Sequence, residues 1–460
     1  MNPAWLTALR GNAGPRYLQI VDMLERAITS GLLRPGERLP AQRKLAELLR
    51  IDLTTVTRAL NEAHRRQLVE ARGPLGTFVA HPKVQLAPRM DLSMNIPPPP
   101  ASVAFDALIK EGIARVLVRS NADLLMTYQV GGGSNPDRTA AAQWLQPRLG
   151  PIDHGRLVVC PGAQAALAAL LLCSTEFGDV ILTEPLVYPG LPLIAAQLGR
   201  RIETVEADEA GMRPKALQAA CKAHGARLVY LNPTLQNPTA TTMPETRRVE
   251  IVEMAAKCGA SIIEDDPYWL FAQHAPPPLA RLMPGRVYYL STLSKCLSPG
   301  LRTAFLVLPE TDMREKFLSA LRSISLMSAP LMSALVTQWI YDGTATRLFE
   351  GIKAESQARQ RLAADILPGG PADSPREGIH IWQVLPTHWA SHDLAAAALR
   401  EGLVVAPSRA FHADAGKAVR TDAIRISLGG GASQAELAGA LRKLADMLMH
   451  GPTNHQSIVV

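Results

Sequence analysis

The sequence predicts an α/β protein in two parts. A small helical module with a β-hairpin precedes a large body, which has a mostly parallel sheet and a smaller C-terminal α+β portion. Three observations predict this. Residues 1–89 hold 14 Lys+Arg against 7 Asp+Glu, whereas the remaining chain holds 34 of each. A stretch from His81 to Ser102, with Pro82, Pro88 and Pro97-Pro98-Pro99-Pro100, lacks helical or strand periodicity and reads as a stiff, extended connector. From residue 103, short apolar runs alternate with alanine- and leucine-rich helical stretches. The expected parts are therefore 1–80, the connector 81–102, and 103–450. The last divides into a large portion at about 120–320 and a small one at about 340–450.

A chain of 460 residues, 47% of them hydrophobic, can bury a large core. Its apolar stretches fall far short of the ~20 residues that span a bilayer, so no membrane segment is expected. Met1-Asn2-Pro3-Ala4-Trp5 shows no basic region leading into an apolar one, so no secretory signal is expected either. Cys160, Cys173, Cys221, Cys258 and Cys296 are scattered, which predicts reduced thiols in a cytoplasmic protein and no metal site. The basic front suggests a polyanion partner for that module alone, a solvated basic face being the plainer alternative.

Within the module, Tyr17, Ile20, Val21, Leu24 and Ile28 follow helical spacing over 15–30, and Gly31 is placed to end the helix. A second helix starts near Pro40, with Leu45, Leu48 and Leu49 inward. Asp52 reads as the N-cap of a third, running to about Gln67. Its apolar side is Val56, Ala59, Leu60 and Ala63; its other side carries Thr54, Thr57, Arg58, Asn61 and Arg65. Leu68–Ala71 and Thr77–Val79 then form a hairpin around Arg72-Gly73-Pro74-Leu75-Gly76. Three helices and a hairpin make a winged helix-turn-helix. The run Leu33-Arg34-Pro35-Gly36-Glu37-Arg38-Leu39-Pro40, with Arg43, Thr54-Thr55-Val56 and Gly76-Thr77-Phe78-Val79, resembles the GntR family of bacterial regulators. That resemblance implies binding to double-stranded operator DNA, with Arg38, Arg43, Thr54, Thr55, Arg58 and Gly76 near it. One departure is Asp52-Leu53, where the family commonly has Ser-Arg.

In the body, strands are expected at Leu157–Cys160, Val180–Thr183, Arg227–Leu231, Ser261–Ile263, Val287–Leu290 and Ala304–Leu308. Chemistry collects at the carboxyl ends of such strands, and a motif follows each of the first five. Pro161-Gly162-Ala163-Gln164 opens a helix whose N-terminus suits a phosphate. Tyr188 could stack on a flat ring, and Asn237, in Gln236-Asn237-Pro238-Thr239, could reach a ring oxygen. Asp265 and Asp266 could each cap the next helix, but a buried carboxylate there calls for a cationic partner. Asp265 precedes Tyr268 by three residues, the spacing suited to a ring nitrogen and a ring oxygen. Lys295 supplies an amine, and Arg302, with Thr292 and Ser294, supplies phosphate donors. A lysine, a carboxylate and a phenol at strand ends are what pyridoxal 5'-phosphate (PLP) requires: an imine partner, a partner for the pyridine nitrogen, and a donor to the ring oxygen.

The ordered set Gly162-Ala163-Gln164, Tyr188, Asn237-Pro238-Thr239, Asp265, Tyr268, Ser294-Lys295 and Arg302 resembles fold-type I PLP-dependent aminotransferases over roughly 103–450. The resemblance implies that Tyr128 reaches the phosphate of a neighbouring subunit and that Arg425 grips an α-carboxylate. Departures are Ala240 after Asn-Pro-Thr, Ala163 where a hydroxyl is common, and Gly131-Gly132-Gly133. A GntR-type module joined to such a body resembles the MocR subfamily of transcription regulators. That implies a head-to-tail homodimer sensing an amine or amino-acid effector by imine exchange at Lys295. The alternative is a working aminotransferase acting on an amino acid and a 2-oxo acid.

Overall fold

The structure is a computed structural model and describes residues 5–6, 15–66, 68–80, 90–101, 103–309, 313–368, 377–414 and 422–450. The chain forms two compact units, Met1–Pro88 and Arg89–Val460.

The first unit has helices Arg16–Thr29, Gln42–Leu49 and Leu53–Arg65, then the antiparallel pair Val69–Ala71 and Thr77–Val79. The third helix buries Val56, Ala59, Leu60 and Ala63, the stripe its spacing predicts; Gln67 lies outside the described residues. Asp52 caps that helix by accepting from the Thr55 backbone N–H at 2.7 Å. The hydroxyls of Thr54 and Thr55, which the resemblance places near DNA, donate to the Asp52 carboxylate. Their hydrogen bonds hold the exposed Asp52 carboxyl well below the usual range, so it stays charged. Arg58 stacks over Tyr17 at 4.1 Å. Arg38 lies under the wing, where a Cβ on Gly76 (φ +108°) would sit 3.2 Å from its Nε. Arg43 shares a groove with Arg16, Arg50 and Asp52. A fixed negative charge at the N-terminus of the helix expected to enter DNA opposes phosphate. Asp52→Asn, which keeps the cap, should therefore tighten binding to non-specific duplex DNA about fivefold, from roughly 1 kcal/mol between unit charges 4 Å apart in water. Unchanged affinity in a fluorescence-anisotropy titration would place this helix end away from DNA.

The second unit is built on a seven-stranded sheet. Its order is Leu157–Cys160, Ala304–Val307, Val287–Thr292, Ser261–Asp265, Leu228–Leu231, Val180–Thr183, Arg201–Thr204. Only Ala304–Val307 runs antiparallel to its neighbours. The six expected strands are present, some with shifted ends. The edge strand Arg201–Thr204 was not expected, because it is half exposed and lacks an apolar run. Gly132 and Gly133 adopt positive φ, and a Cβ on either would lie 2.7 Å from Val158 or Val159. The glycine run thus serves close approach to the first strand of the sheet. A second sheet joins His380–Val384, Ala423–Ser427 and Ala406–Pro407. Helix Gln434–Met449 buries Leu437, Leu441, Leu444 and Leu448 beside it, as its spacing predicts. No helix among the described residues is long and apolar enough to cross a membrane.

The connector reading needs correction over residues 90–101; His81–Arg89 and Ser102 lie outside the described residues. Met90–Asp91 pairs in parallel with Leu403–Val404, and Leu92 is fully buried. Ser427 N donates to Leu92 O at 2.7 Å. Backbone pairing along one side holds this segment, so it needs no side-chain period to be ordered.

Candidate functional site

Strand alternation sorts three successive acids. Ile263 sits opposite Tyr230 in register, and Asp265, two residues on, projects from the same face. There Tyr230 donates its hydroxyl to Asp265 Oδ2 at 2.6 Å, while Asp265 Oδ1 is buried without a hydrogen-bond partner. Glu264 and Asp266 serve a separate network. Glu264 accepts from the Leu279 and Ala280 N–H groups at 3.0 and 2.9 Å, and Asp266 Oδ2 accepts from Arg148 Nε at 2.9 Å and Tyr289 OH at 3.1 Å. Asp266 therefore has its cation, and Asp265 is the acid left facing the site.

Lys295 follows the neighbouring strand Val287–Thr292, and its Nζ donates to Asn95 O at 2.7 Å. Burial, with Arg425 nearby, lowers its amine to about 8; Asp265 opposes that shift. Burial pushes Asp265 up to about 6 against the hydrogen bond from Tyr230. Tyr268 OH accepts from Asn95 Nδ2 at 3.0 Å, and burial pushes the phenol up to about 12. The His380 ring lies 5.1 Å from that of Tyr268, and burial lowers it to about 3, so it is neutral. Arg425 Nη1 donates to Asn237 Oδ1 at 2.7 Å, and its Nη2 donates to Ser93 O. Asn237 thus presents its carbonyl to Arg425, leaving the amide nitrogen as the end able to donate to a ring oxygen.

At the other end, Gly162 (φ +94°) caps the helix Ala163–Ser174, and a Cβ there would lie 2.8 Å from Arg302 Nη2. Free N–H groups of Ala163 and Gln164 and the Arg302 fork form an anion cradle. Tyr188 OH donates to Gln164 Oε1 at 2.5 Å. Thr292 Oγ1 lies 3.2 Å from Thr303 O and accepts from Ser294 N, so of this pair Ser294 has the hydroxyl better placed to donate outward. Ala240 occupies φ +57°, a conformation glycine would take without strain. Tyr128 is 77% exposed. Among the described residues no group of three His, Cys, Asp or Glu could hold a metal ion. A bare buried carboxylate oxygen, a buried amine and an anion cradle fit the pyridine nitrogen, aldehyde and phosphate of PLP.

The profile of aminotransferase class I and II matches residues 87–444. The chain belongs to that family. The profile of the gntR family of bacterial regulatory proteins matches residues 16–79. This class I and II member is 28% identical to the Bacillus subtilis HTH-type transcriptional regulator YdeF, over 92% of each chain. It is 27% identical to PtsJ, the vitamin B6 salvage pathway transcriptional repressor of Salmonella typhimurium, over 89% of this chain and 93% of that one. Its fold matches the crystal structure of LysN, the α-aminoadipate aminotransferase of Thermus thermophilus, solved with N-(5'-phosphopyridoxyl)-L-leucine. There the TM-score is 0.70 at 26% identity, over 78% of this chain and 92% of LysN. The chain is a GntR-type regulator fused to an aminotransferase-like body, and PLP is its cofactor.

Sequence reasoning missed Ser93 and Asn95, because they sit in a stretch read as connector, and also Tyr230, His380 and Arg148. Only alternation on the strand Leu228–Leu231 could have flagged Tyr230. The depressed lysine has a measurable consequence in this family member. Between about 8 and the ordinary 10.5 the unfolded chain holds a proton that folded Lys295 has lost, so PLP-free protein gains stability as pH rises across that window. Urea midpoints at both ends should show this rise, and Lys295→Met should flatten it.

Proposed function

We propose that this chain is a PLP-dependent DNA-binding transcriptional regulator that senses an amine or amino acid in its body and answers through its gntR module. One observation carries the reading. Lys295 and Arg425, the side chains that would meet the cofactor and the effector's carboxylate, hold backbone carbonyls of one short segment, Asn95 and Ser93. That segment is where the chain enters the body after residues 81–89, which lead from the DNA-binding module. Bound PLP supplies an aldehyde that condenses reversibly with primary amines. Arg425 offers a carboxylate a charged fork, and a carboxylate is a stronger acceptor than the Ser93 carbonyl it would displace. Lys295 can hold Asn95 in this way only while its amine is free. Ligand control requires unequal affinity for two states, and competition for these two donors provides it. A head-to-tail homodimer, with the exposed Tyr128 reaching the neighbouring subunit's phosphate, and a cytoplasmic setting belong to the same reading. Arg38, Arg43, Thr54, Thr55 and Arg58 would face operator DNA together with the Gly76 wing.

PLP-loaded protein should absorb visible light, and Lys295→Ala should abolish the band while leaving duplex-DNA binding intact. An amine or amino acid that alters the wild-type spectrum should alter its DNA affinity and leave Lys295→Ala unchanged. Wild-type protein that stays colourless with added PLP would end the proposal. The second reading, a working aminotransferase, is favoured by the joint presence of Lys295, Asp265, Tyr268 and Arg425. Repeated turnover of an amino acid with a 2-oxo acid, without an effect of either on DNA binding, would select it.

A further inference from the structure

The two oxygens of Asp265 are in different situations, and a residue outside the expected site makes the difference. Oδ2 accepts from Tyr230 OH at 2.6 Å, whereas Oδ1 is buried and bare. Asn232 Nδ2 fixes the backbone by donating to Asp265 O at 2.7 Å, and the Asn232 carbonyl oxygen accepts from Asn237 N at 2.7 Å. The carboxylate plane is then set by one group, the phenol on the strand Leu228–Leu231. We propose that Tyr230 is a positioning residue for PLP: its hydroxyl fixes Oδ2 of Asp265 and aims bare Oδ1 at the pyridine nitrogen. The inference rests on PLP occupying the site beside Lys295.

Tyr230 is 1% exposed, and its own ionisation is pushed far up by burial and by Asp265, so it keeps the proton that it donates to Asp265. The other groups acting on Asp265 are Asp266, which favours its protonation, and Lys295, which opposes it; Tyr188 and Tyr268 in turn feel its charge. Without the phenol, burial and Asp266 act against Lys295 alone, and the acid moves toward its neutral form. A neutral acid no longer holds the proton on the pyridine nitrogen, which is what makes the ring an electron sink.

The test is Tyr230→Phe in the full chain. In PLP-free protein, the infrared carboxyl band assigned by its loss in Asp265→Asn should titrate about one pH unit higher than in wild type. In loaded protein, the pH midpoint of the visible band should move, and the PLP dissociation constant should rise about tenfold. A merely structural phenol would lower thermal stability and leave both midpoints in place, which would overturn the proposal. If Tyr230→Phe does not fold, 3-fluorotyrosine installed at position 230 gives a more acidic phenol of nearly equal size. It should move the same midpoints in the opposite direction, and unmoved midpoints would be equally fatal. Failure of PLP to bind wild-type protein would instead strike the cofactor reading, while the infrared titration would still decide whether Tyr230 governs Asp265.

Discussion

Arg148→Met should lower the unfolding free energy by about 3–5 kcal/mol, the usual loss when one partner of a buried ion pair is removed. A lower urea midpoint at unchanged slope would report it. Arg148 is 5% exposed, and its guanidinium makes three bonds: to Asp266 Oδ2 at 2.9 Å, Pro276 O at 2.6 Å and Thr234 Oγ1 at 3.0 Å. Arg248 lies beside it, donating to Pro233 O at 2.9 Å and Thr234 Oγ1 at 3.0 Å, with Glu264 3.7 Å from its Nη1. Two cations thus face two carboxylates in a dry layer. Burial and Asp266 already push Glu264 up to about 7. With one cation gone, Glu264 rises further above its unfolded value, so the folded variant binds a proton the unfolded chain has released. Its deficit should therefore shrink as pH falls toward 5, and Asp266→Asn in the same chain should recover part of it. A loss under about 1 kcal/mol would mean that water reaches this layer.

Gly429→Ala should dislodge the segment that touches Lys295 and Arg425. A Cβ at Gly429 would lie 1.8 Å from Ile96 O, and one at Gly430 would lie 2.5 Å from Asp91 O. The glycine loop is held in place: fully buried Arg359 donates to Leu428 O and Gly430 O at 2.9 Å and to Gly431 O at 3.2 Å, and its Nε is paired with Glu355 at 2.7 Å. The segment at Ser93–Ile96 must move instead. The expected results are a loss of about 1–3 kcal/mol from overpacking, faster amide exchange around residues 93–96, and DNA affinity that no longer responds to an effector. PLP should still colour the protein, since Lys295, Asp265 and Arg302 stand on other elements. Unchanged exchange around 93–96 would show that the loop, not the segment, gives way.

The strands carrying the expected motifs were legible because parallel strands buried on both faces are short unbroken apolar runs, as at Val180–Thr183, Leu228–Leu231 and Val287–Thr292. The third helix was legible from its apolar stripe and the Asp52 cap. Arg201–Thr204 was not, because an edge strand needs no such run. Residues 90–101 were misread because proline-rich composition describes stiffness and says nothing about whether the chain lies against a sheet. The contacts of the Thr54 and Thr55 hydroxyls with Asp52 were not legible, since a hydroxyl able to meet a phosphate is equally able to meet the neighbouring carboxylate.

The order of residues along the chain determined the two modules and the presence of the six strands, and it singled out Lys295, Asp265 and Arg302 as candidates, because alternation, glycine placement and charge are local properties. Only the folded arrangement decided that Asp266 found Arg148 and that Asp265 was left facing the site. It also decided that Tyr230 holds Asp265 and that the Ser93 and Asn95 carbonyls accept from Arg425 and Lys295. Those contacts join residues up to 332 positions apart, and distance along a chain carries no record of what burial and hydrogen-bond saturation bring together.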